Sequence, residues 1–253
     1  MAGNAWRRAR CFRSYNTTAS EYGKQKWKPL IVRNETVIRA LLFDLDGLMV
    51  NSEPHSLNSW RVVLAIRSIT LEQAVIDRMF GLRQFDAARM LVDVYDLAES
   101  PELLAREKEE YQITHLTGQV PPMPGLFALL DECTKRELRT AVVSSGVRPY
   151  VMAVLEAVAL TDRFSTIVTG DEVKNGKPAP DIFLAAAYAV QVEPQQCVVL
   201  EDAPAGVQAA KAAGMRCIAI PNEYTRQLDL SAADLVLPSL NVVRDGLATL
   251  VTL

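Results

Sequence analysis

The 253-residue sequence predicts an α/β fold: a doubly wound parallel sheet interrupted by an inserted, all-helical segment. Three observations carry that prediction. From residue 126 onward, short apolar runs alternate with segments whose apolar residues recur at helical spacing, the pattern of successive strand–helix units. The short runs are apolar on both faces, as strands must be when helices cover a parallel sheet on both sides. Between the first such run and residue 120, helical spacing continues with no strand, which marks an insertion.

Composition narrows the classes of function. Hydrophobic residues make up 49% of the chain, enough to build a sizeable core. The net charge of −3 is unevenly spread: residues 1–40 hold nine Lys or Arg against two Glu, a net +7, leaving 18 basic and 28 acidic residues, a net −10, in 41–253. An acidic body argues against nucleic acid as a partner. The four cysteines, Cys11, Cys133, Cys197 and Cys217, form no C-x-x-C and read as reduced thiols of a cytoplasmic protein. No apolar run reaches the roughly 18 residues of a membrane span. With only His55 and His115 available, a His-rich metal centre is excluded and a Ser–His triad is disfavoured.

Residues 1–36 read as a basic extension. Their first 20 residues contain Arg7, Arg8, Arg10 and Arg13 and no acid, a composition shared with organelle presequences. They lack apolar periodicity, which predicts a dispensable segment. Removing residues 1–34 is expected to leave turnover unchanged; a large loss of rate or of thermal stability in the truncated protein would show that the segment packs on the core.

The elements follow in order. A strand is predicted over 37–43. Pro54 suits the start of a helix, with Leu57, Trp60 and Leu64 on one face. Leu71, Val75 and Met79 form a second stripe, and Ala87, Met90, Leu91 and Val94 a third. Residues 102–116 read as an acidic, solvated helix. Residues 53–121 thus predict a helical cap, closed by the hinge-like Val120-Pro121-Pro122-Met123-Pro124-Gly125, while 37–52 and 122–253 form the α/β core. In the core, Leu126, Leu129, Leu130 and Cys133 mark a helix, 140–143 a strand, and Val151, Val154, Leu155 and Val158 a helix. A strand over 166–169 precedes a helix marked by Phe183, Ala186, Ala187 and Val190. The strand at 197–200 leads to a helix over 205–213 closed by Gly214. Strands at 217–220 and 235–237 complete the sheet.

In such a sheet, ligands bind beyond the carboxyl ends of the strands. The first strand ends in Asp44-Leu45-Asp46-Gly47. Two acids at the end of a buried strand lose hydration unless a cation or donors replace it, and Gly47 permits a tight exit. The second strand delivers Ser144, and the fourth delivers Glu201 and Asp202. Lys177 sits ahead of a helix in Asn175-Gly176-Lys177-Pro178-Ala179-Pro180-Asp181. Taken singly, each has a bland role: a turn for Asp-Gly, a helix cap for Ser, a solvated surface for Lys, a helix N-terminus for the acids. Gathered at strand ends, they point to one oxygen-rich site that suits Mg²⁺. A cation with Lys and Ser meets the charge of a transferring phosphoryl group, and a carboxylate can serve as the nucleophile, forming an aspartyl phosphate.

Phe43-Asp44-Leu45-Asp46-Gly47, Val143-Ser144-Ser145-Gly146, Gly176-Lys177-Pro178-Ala179-Pro180-Asp181 and Leu200-Glu201-Asp202-Ala203-Pro204-Ala205-Gly206 resemble, in order, the four motifs of the haloacid dehalogenase-like (HAD) hydrolase superfamily. The resemblance covers about 37–240, and within the superfamily the chain is most like the β-phosphoglucomutase-like phosphatases. It implies a Rossmann-like core with a small α-helical cap and Mg²⁺ as cofactor. It implies Asp44 as nucleophile and Asp46 as general acid and then base, lending its backbone carbonyl to the metal. Ser144 and Lys177 would hold the phosphoryl oxygens, helped by the amides of Leu45 and Ser145, and Glu201 and Asp202 would complete the metal site. The chain departs from the family in reading Asn51-Ser52-Glu53 where D-S-E is common. The mutases carry a His where Ser56 stands, with His55 one residue off, and their cap Arg is displaced by one to Arg83 in Gly81-Leu82-Arg83-Gln84. His55 and Arg83 are therefore candidate substrate contacts in the cap. The expected function is a monomeric phosphatase acting on a small phosphorylated metabolite, a sugar or polyol phosphate. A sugar phosphomutase, and a non-catalytic binding protein on the same fold, are the alternatives.

Overall fold

The computed structural model describes residues 37–79, 84–116 and 120–250. The basic extension over 1–36 and the cap residue Arg83 lie outside the described residues. Among the described residues no helix is long and apolar enough to cross a membrane.

Six parallel strands form one sheet: β1 (Ala40–Phe43), β2 (Arg139–Ser144), β3 (Thr166–Thr169), β4 (Cys197–Glu201), β5 (Arg216–Ala219) and β6 (Leu235–Val236). Their spatial order is β3-β2-β1-β4-β5-β6, so β1 is central and the winding reverses there. Leu41 pairs with Thr140 on one side and Val198 on the other, which sets the ends of β1, β2 and β4 level. Alternation along β1 divides the core in two. Leu41 and Phe43 face a cluster made with α5 (Leu126–Lys135), α6 (Arg148–Ala157) and α9 (Leu240–Leu250). Ala40 and Leu42 face a second cluster made with α7 (Asp181–Ala189) and α8 (Pro204–Ala212). The expected doubly wound sheet is therefore present. Its first strand is shorter than predicted: Val37 is 57% exposed and outside the ladder, because the strands beside it begin only at Arg139 and Cys197.

Among the described residues between β1 and α5 are four helices, α1 (Glu53–Ala65), α2 (Gln73–Met79), α3 (Gln84–Tyr95) and α4 (Pro101–Thr114). They enclose their own apolar cluster around Trp60, Leu64, Val75, Met79, Leu91 and Leu104. The two chain segments joining this bundle to the sheet run side by side. Asn51 N donates to Pro121 O at 2.9 Å, and Met123 N to Met49 O at 2.8 Å. Two expectations need correction. In α3 the buried face is Ala87, Ala88 and Leu91, with Met90 half-buried against the same cluster, while Val94 is 38% exposed. The acidic segment of α4 is not solvated throughout: Leu104, Lys108 and Gln112, at i, i+4 and i+8, form a buried stripe on a helix that packs on α1 and α3.

Candidate active site

The strand ends bring the chemistry together. The amide of Asp44 donates to Leu200 O at 3.0 Å, extending the ladder one residue past β1 and setting its carboxyl between β2 and β4. The chain then turns back, with Gly47 N donating to Val50 O at 2.9 Å. Gly47 has φ +82°, and a Cβ there would lie 2.5 Å from both Asp202 Oδ2 and Glu53 Oε1, so only glycine fits this turn. Ser144, the last residue of β2, accepts from Gly146 N at 3.0 Å and reaches Asp46 Oδ2 at 3.5 Å. Lys177 enters from the loop before α7. It donates to Asp44 Oδ1, to Glu201 Oε1 at 2.7 Å and to Val143 O at 3.2 Å, with its ammonium 5.1 Å from the centre of the Phe183 ring. Glu201 Oε2 accepts the amides of Asp202 and Ala203 at 3.1 and 3.2 Å. The amides of Leu45 and Ser145 make no hydrogen bond among the described residues, leaving two donors beside Asp44 for an anion.

These groups border a cavity of about 370 Å³ between the sheet and the helical bundle. Among the described residues its wall carries Asp44, Asp46, Glu53, Glu109, Glu201 and Asp202 against two cations, Lys108 and Lys177. The imbalance shows in the protonation equilibria. Burial, and then Glu201 and Asp46, push the Asp44 carboxyl well above its ordinary range against the pull of Lys177. Asp202 is raised in the same way, by burial and by Glu201, Asp44 and Glu53. Burial lifts Glu53 to about 7, with Asp46 adding to the rise. Burial pulls the Lys177 pKa down, and the charges and hydrogen bonds of Asp44 and Glu201 together outweigh it and raise its pKa.

Carboxylate oxygens of Asp44, Glu201 and Asp202 lie within 4.8 Å of one another. Glu53 Oε2 is buried and has no hydrogen-bond partner among the described residues. Such a set of hard oxygens, short of positive charge, fits a divalent cation. Glu201 is the most fully satisfied of the three, accepting from Lys177 and from the amides of Asp202 and Ala203. Gly206 keeps it there: a Cβ at 206 would stand 1.7 Å from Glu201 Oε1. Gly206→Ala is expected to displace the carboxylate, lower kcat/KM at least about tenfold and cost about 1–3 kcal/mol of stability. Normal kinetics in that variant would show that Glu201 need not hold Lys177.

The predicted cap contacts fare differently. His55 is buried, and its Nε2 lies 2.7 Å from Gln112 O; a carbonyl only accepts, so Nε2 carries the proton and ties α1 to α4. His55 is thus turned from the cavity, which Ser56 lines instead, because successive helical residues point about 100° apart.

Besides Glu53, three residues in the site escaped the sequence reading. Tyr150, in the first turn of α6, donates to Asp46 Oδ1 at 2.6 Å. Lys108, 4% exposed, donates to Gln84 Oε1 at 3.0 Å and also to Gln112 Oε1, and lies 5.5 Å from the Trp60 ring centre. Its place four residues after Leu104 was the available signal. Asn222 bonds Asp202, Glu53 and Gly47; applying the strand-end rule to β5 as well as to β1, β2 and β4 would have found it.

Comparison with known proteins agrees with this geometry. Fructose-1-phosphate phosphatase YqaB of Escherichia coli is 34% identical over 178 residues, spanning 70% of this chain and 94% of that protein. The β-phosphoglucomutase of Bacillus subtilis is 29% identical over 192 residues, 72% of this chain and 83% of that one. The crystal structure of CbbY from Rhodobacter sphaeroides in complex with phosphate superposes with a TM-score of 0.74 at 27% identity, covering 81% of this chain and 96% of that one. The sequence pattern of the haloacid dehalogenase-like hydrolases matches residues 41–220, from the first strand to the end of the fifth. With the acid pair, the hydroxyl, the lysine and the second acid pair meeting at the carboxyl ends of one parallel sheet, the chain belongs to the haloacid dehalogenase-like hydrolases, in their β-phosphoglucomutase-like group.

Proposed function

We propose that the protein is a Mg²⁺-dependent phosphatase that hydrolyses a small sugar or polyol phosphate through an aspartyl phosphate. The observation that carries this reading is the setting of Asp44: a buried carboxylate at the centre of the sheet, flanked by Lys177 and the Asp202–Glu201 pair, with Asp46 two residues on. Asp44 attacks phosphorus, and the bond from phosphorus to the leaving oxygen breaks as Asp46 delivers a proton to that oxygen. Asp46 then takes a proton from water, whose oxygen attacks the aspartyl phosphate, releasing inorganic phosphate and restoring Asp44. Lys177, Ser144 and the amides of Leu45 and Ser145 hold the phosphoryl oxygens. Mg²⁺ would be held by Asp44, Asp202 and the backbone carbonyl of Asp46, and would supply positive charge to the same oxygens. Tyr150 and Ser144 orient the Asp46 carboxylate. The helical bundle excludes bulk water and reopens for release, swinging on the paired segments at 49–51 and 121–123.

The cap side of the cavity supports a hydroxylated substrate. Trp60, Leu57, Met79 and Ala87 offer an apolar wall, while Gln84 and Gln112 offer amides that match hydroxyl groups, with Lys108 between them. Burial lowers the Lys108 pKa to about 8, with Asp46 and Glu109 opposing the fall. In the folded state Lys108 loses its proton near pH 8, and in the unfolded chain near 10.5, so its burial costs stability that is regained as pH rises through that interval. Lys108→Met is therefore expected to melt no lower than the wild type at pH 7 while raising KM about tenfold, with a smaller change in kcat. An unchanged KM would remove Lys108 from the substrate site.

Among the described cap residues lining the cavity, Lys108 is the only cation, thin provision for the second phosphate of a mutase intermediate. Phosphate release across a panel of phosphorylated sugars and polyols tests the assignment, and none from any of them would favour a binding protein. Incubation with β-glucose 1-phosphate and a trace of the 1,6-bisphosphate separates the two enzymes: rapid glucose 6-phosphate with little free phosphate would restore the mutase. The buried free thiols Cys133, Cys197 and Cys217 support a reducing, cytoplasmic location, with organelle import through the basic extension as the alternative that imaging of a fusion protein decides. We assign a monomer, which size-exclusion chromatography checks.

A further inference from the structure

Asn222 stands just beyond β5 with its side-chain amide fixed at both ends. Its Oδ1 accepts the backbone amides of Tyr224 and Thr225 at 2.8 and 3.1 Å. The oxygen is therefore on that side, and Nδ2 points to the site. There it meets three acceptors: Asp202 Oδ2 at 2.9 Å, Glu53 Oε1 at 3.2 Å and Gly47 O at 3.2 Å. One amide thus ties together the turn after β1, the first residue of α1 and the acid after β4. The absence of a side chain at Gly47 leaves room for this meeting, since a Cβ there would lie 2.5–2.6 Å from all three side chains.

The arrangement would be unfavourable in a site with no other ligand. Buried Asp202, half-buried Glu53 and the Gly47 carbonyl share the two hydrogens of one neutral amide, and the buried Glu53 Oε2 has no partner among the described residues. Burial of an unpaired carboxylate oxygen is costly unless a cation or a cation's water ligands satisfy it. We propose that Asn222 is a positioning residue for the cation site and that Glu53 is the outer carboxylate of that site. Asn222 engages Oδ2 of Asp202 and so presents Oδ1 to the ion; Glu53, held through Oε1, keeps Oε2 for the ion's water ligands. This inference rests on the cation reading above and extends it to two residues that the family resemblance left without a role.

The test reads Mg²⁺ binding directly, with MgCl₂ titrated into the full-length metal-free protein and followed by isothermal calorimetry and by thermal shift, in the absence of substrate. Asn222→Ala is expected to weaken Mg²⁺ at least tenfold, as loss of outer support for a metal ligand does. The Mg²⁺ concentration for half-maximal activity should rise in parallel, while kcat at saturating Mg²⁺ falls by a smaller factor. Glu53→Gln keeps the shape but not the charge, and is expected to weaken Mg²⁺ severalfold; it also serves if Asn222→Ala does not fold. Thr225→Val, which removes only the hydroxyl accepting Asn222 N at 3.1 Å, is expected to shift Mg²⁺ affinity less than twofold. No Mg²⁺ binding by the wild type would overturn the cation reading itself. Wild-type binding matched by Asn222→Ala and Glu53→Gln, or an equal loss in Thr225→Val, would overturn the present inference alone.

Discussion

Asp44→Asn is expected to abolish phosphate release, by at least about a thousandfold, because amide nitrogen and oxygen cannot replace a carboxylate nucleophile. The same substitution should leave the fold intact and its melting temperature at pH 7 no lower than that of the wild type in metal-free buffer. Asp44 is buried next to Glu201 and Asp46, and its pKa in the folded protein lies well above the ordinary 3.8 even with Lys177 alongside. The folded protein therefore keeps a proton that the unfolded chain gives up, and stability declines as pH rises from the ordinary value through the folded one. Asparagine resembles the neutral form and removes that decline. Steady-state assay and thermal melts of one preparation test both parts, and near-normal turnover in a folded Asp44→Asn protein would end the proposed mechanism.

Removal of divalent cations is expected to be as severe. Excess chelator should eliminate turnover and Mg²⁺ should restore it, since Asp44, Glu201 and Asp202 converge within 4.8 Å with Lys177 as their cation. Asp202→Ala should raise the Mg²⁺ requirement more than any other single change outside Asp44. A cation that binds only the folded site raises stability by about 2.7 kcal/mol at a hundred times its Kd, so the wild-type melting temperature should climb with Mg²⁺ and that of Asp202→Ala should climb far less. Calcium should bind and inhibit, because its longer, more variable coordination disturbs in-line attack. Full activity in excess chelator would reject the metal-assisted reading.

The residues that were legible in the sequence share one property. Asp44, Asp46, Ser144, Glu201 and Asp202 all stand at the ends of apolar strands, where backbone pairing with both neighbours dictates position and little else competes. Lys177 could be read from its setting between a glycine and two prolines ahead of a helix. The cap was legible only as helices. Helical spacing tells which residues share a face but not which face meets the core, and so the acidic stretch around Lys108 read as solvated. His55 failed for a related reason, since a shift of one position on a helix changes direction by about 100°.

Taken alone, the sequence determined the parallel sheet with its helical insertion and the order of the elements along it, apart from the length of the first strand. It also named the acids, hydroxyl and lysine that meet where the winding reverses. These follow from apolar periodicity and from the rule that ligands lie beyond strand ends, both of which are local in the chain. Only the tertiary structure decided what surrounds that centre. Tyr150 on Asp46, Asn222 on Asp202 and Glu53, and Lys108 on the cap wall each join residues from 20 to 169 positions apart, apart from Lys108 and Gln112, which are neighbours on one helix. Such pairings arise from how the bundle and the loop after β5 close over the sheet, and neither spacing nor propensity within any one segment encodes that closure.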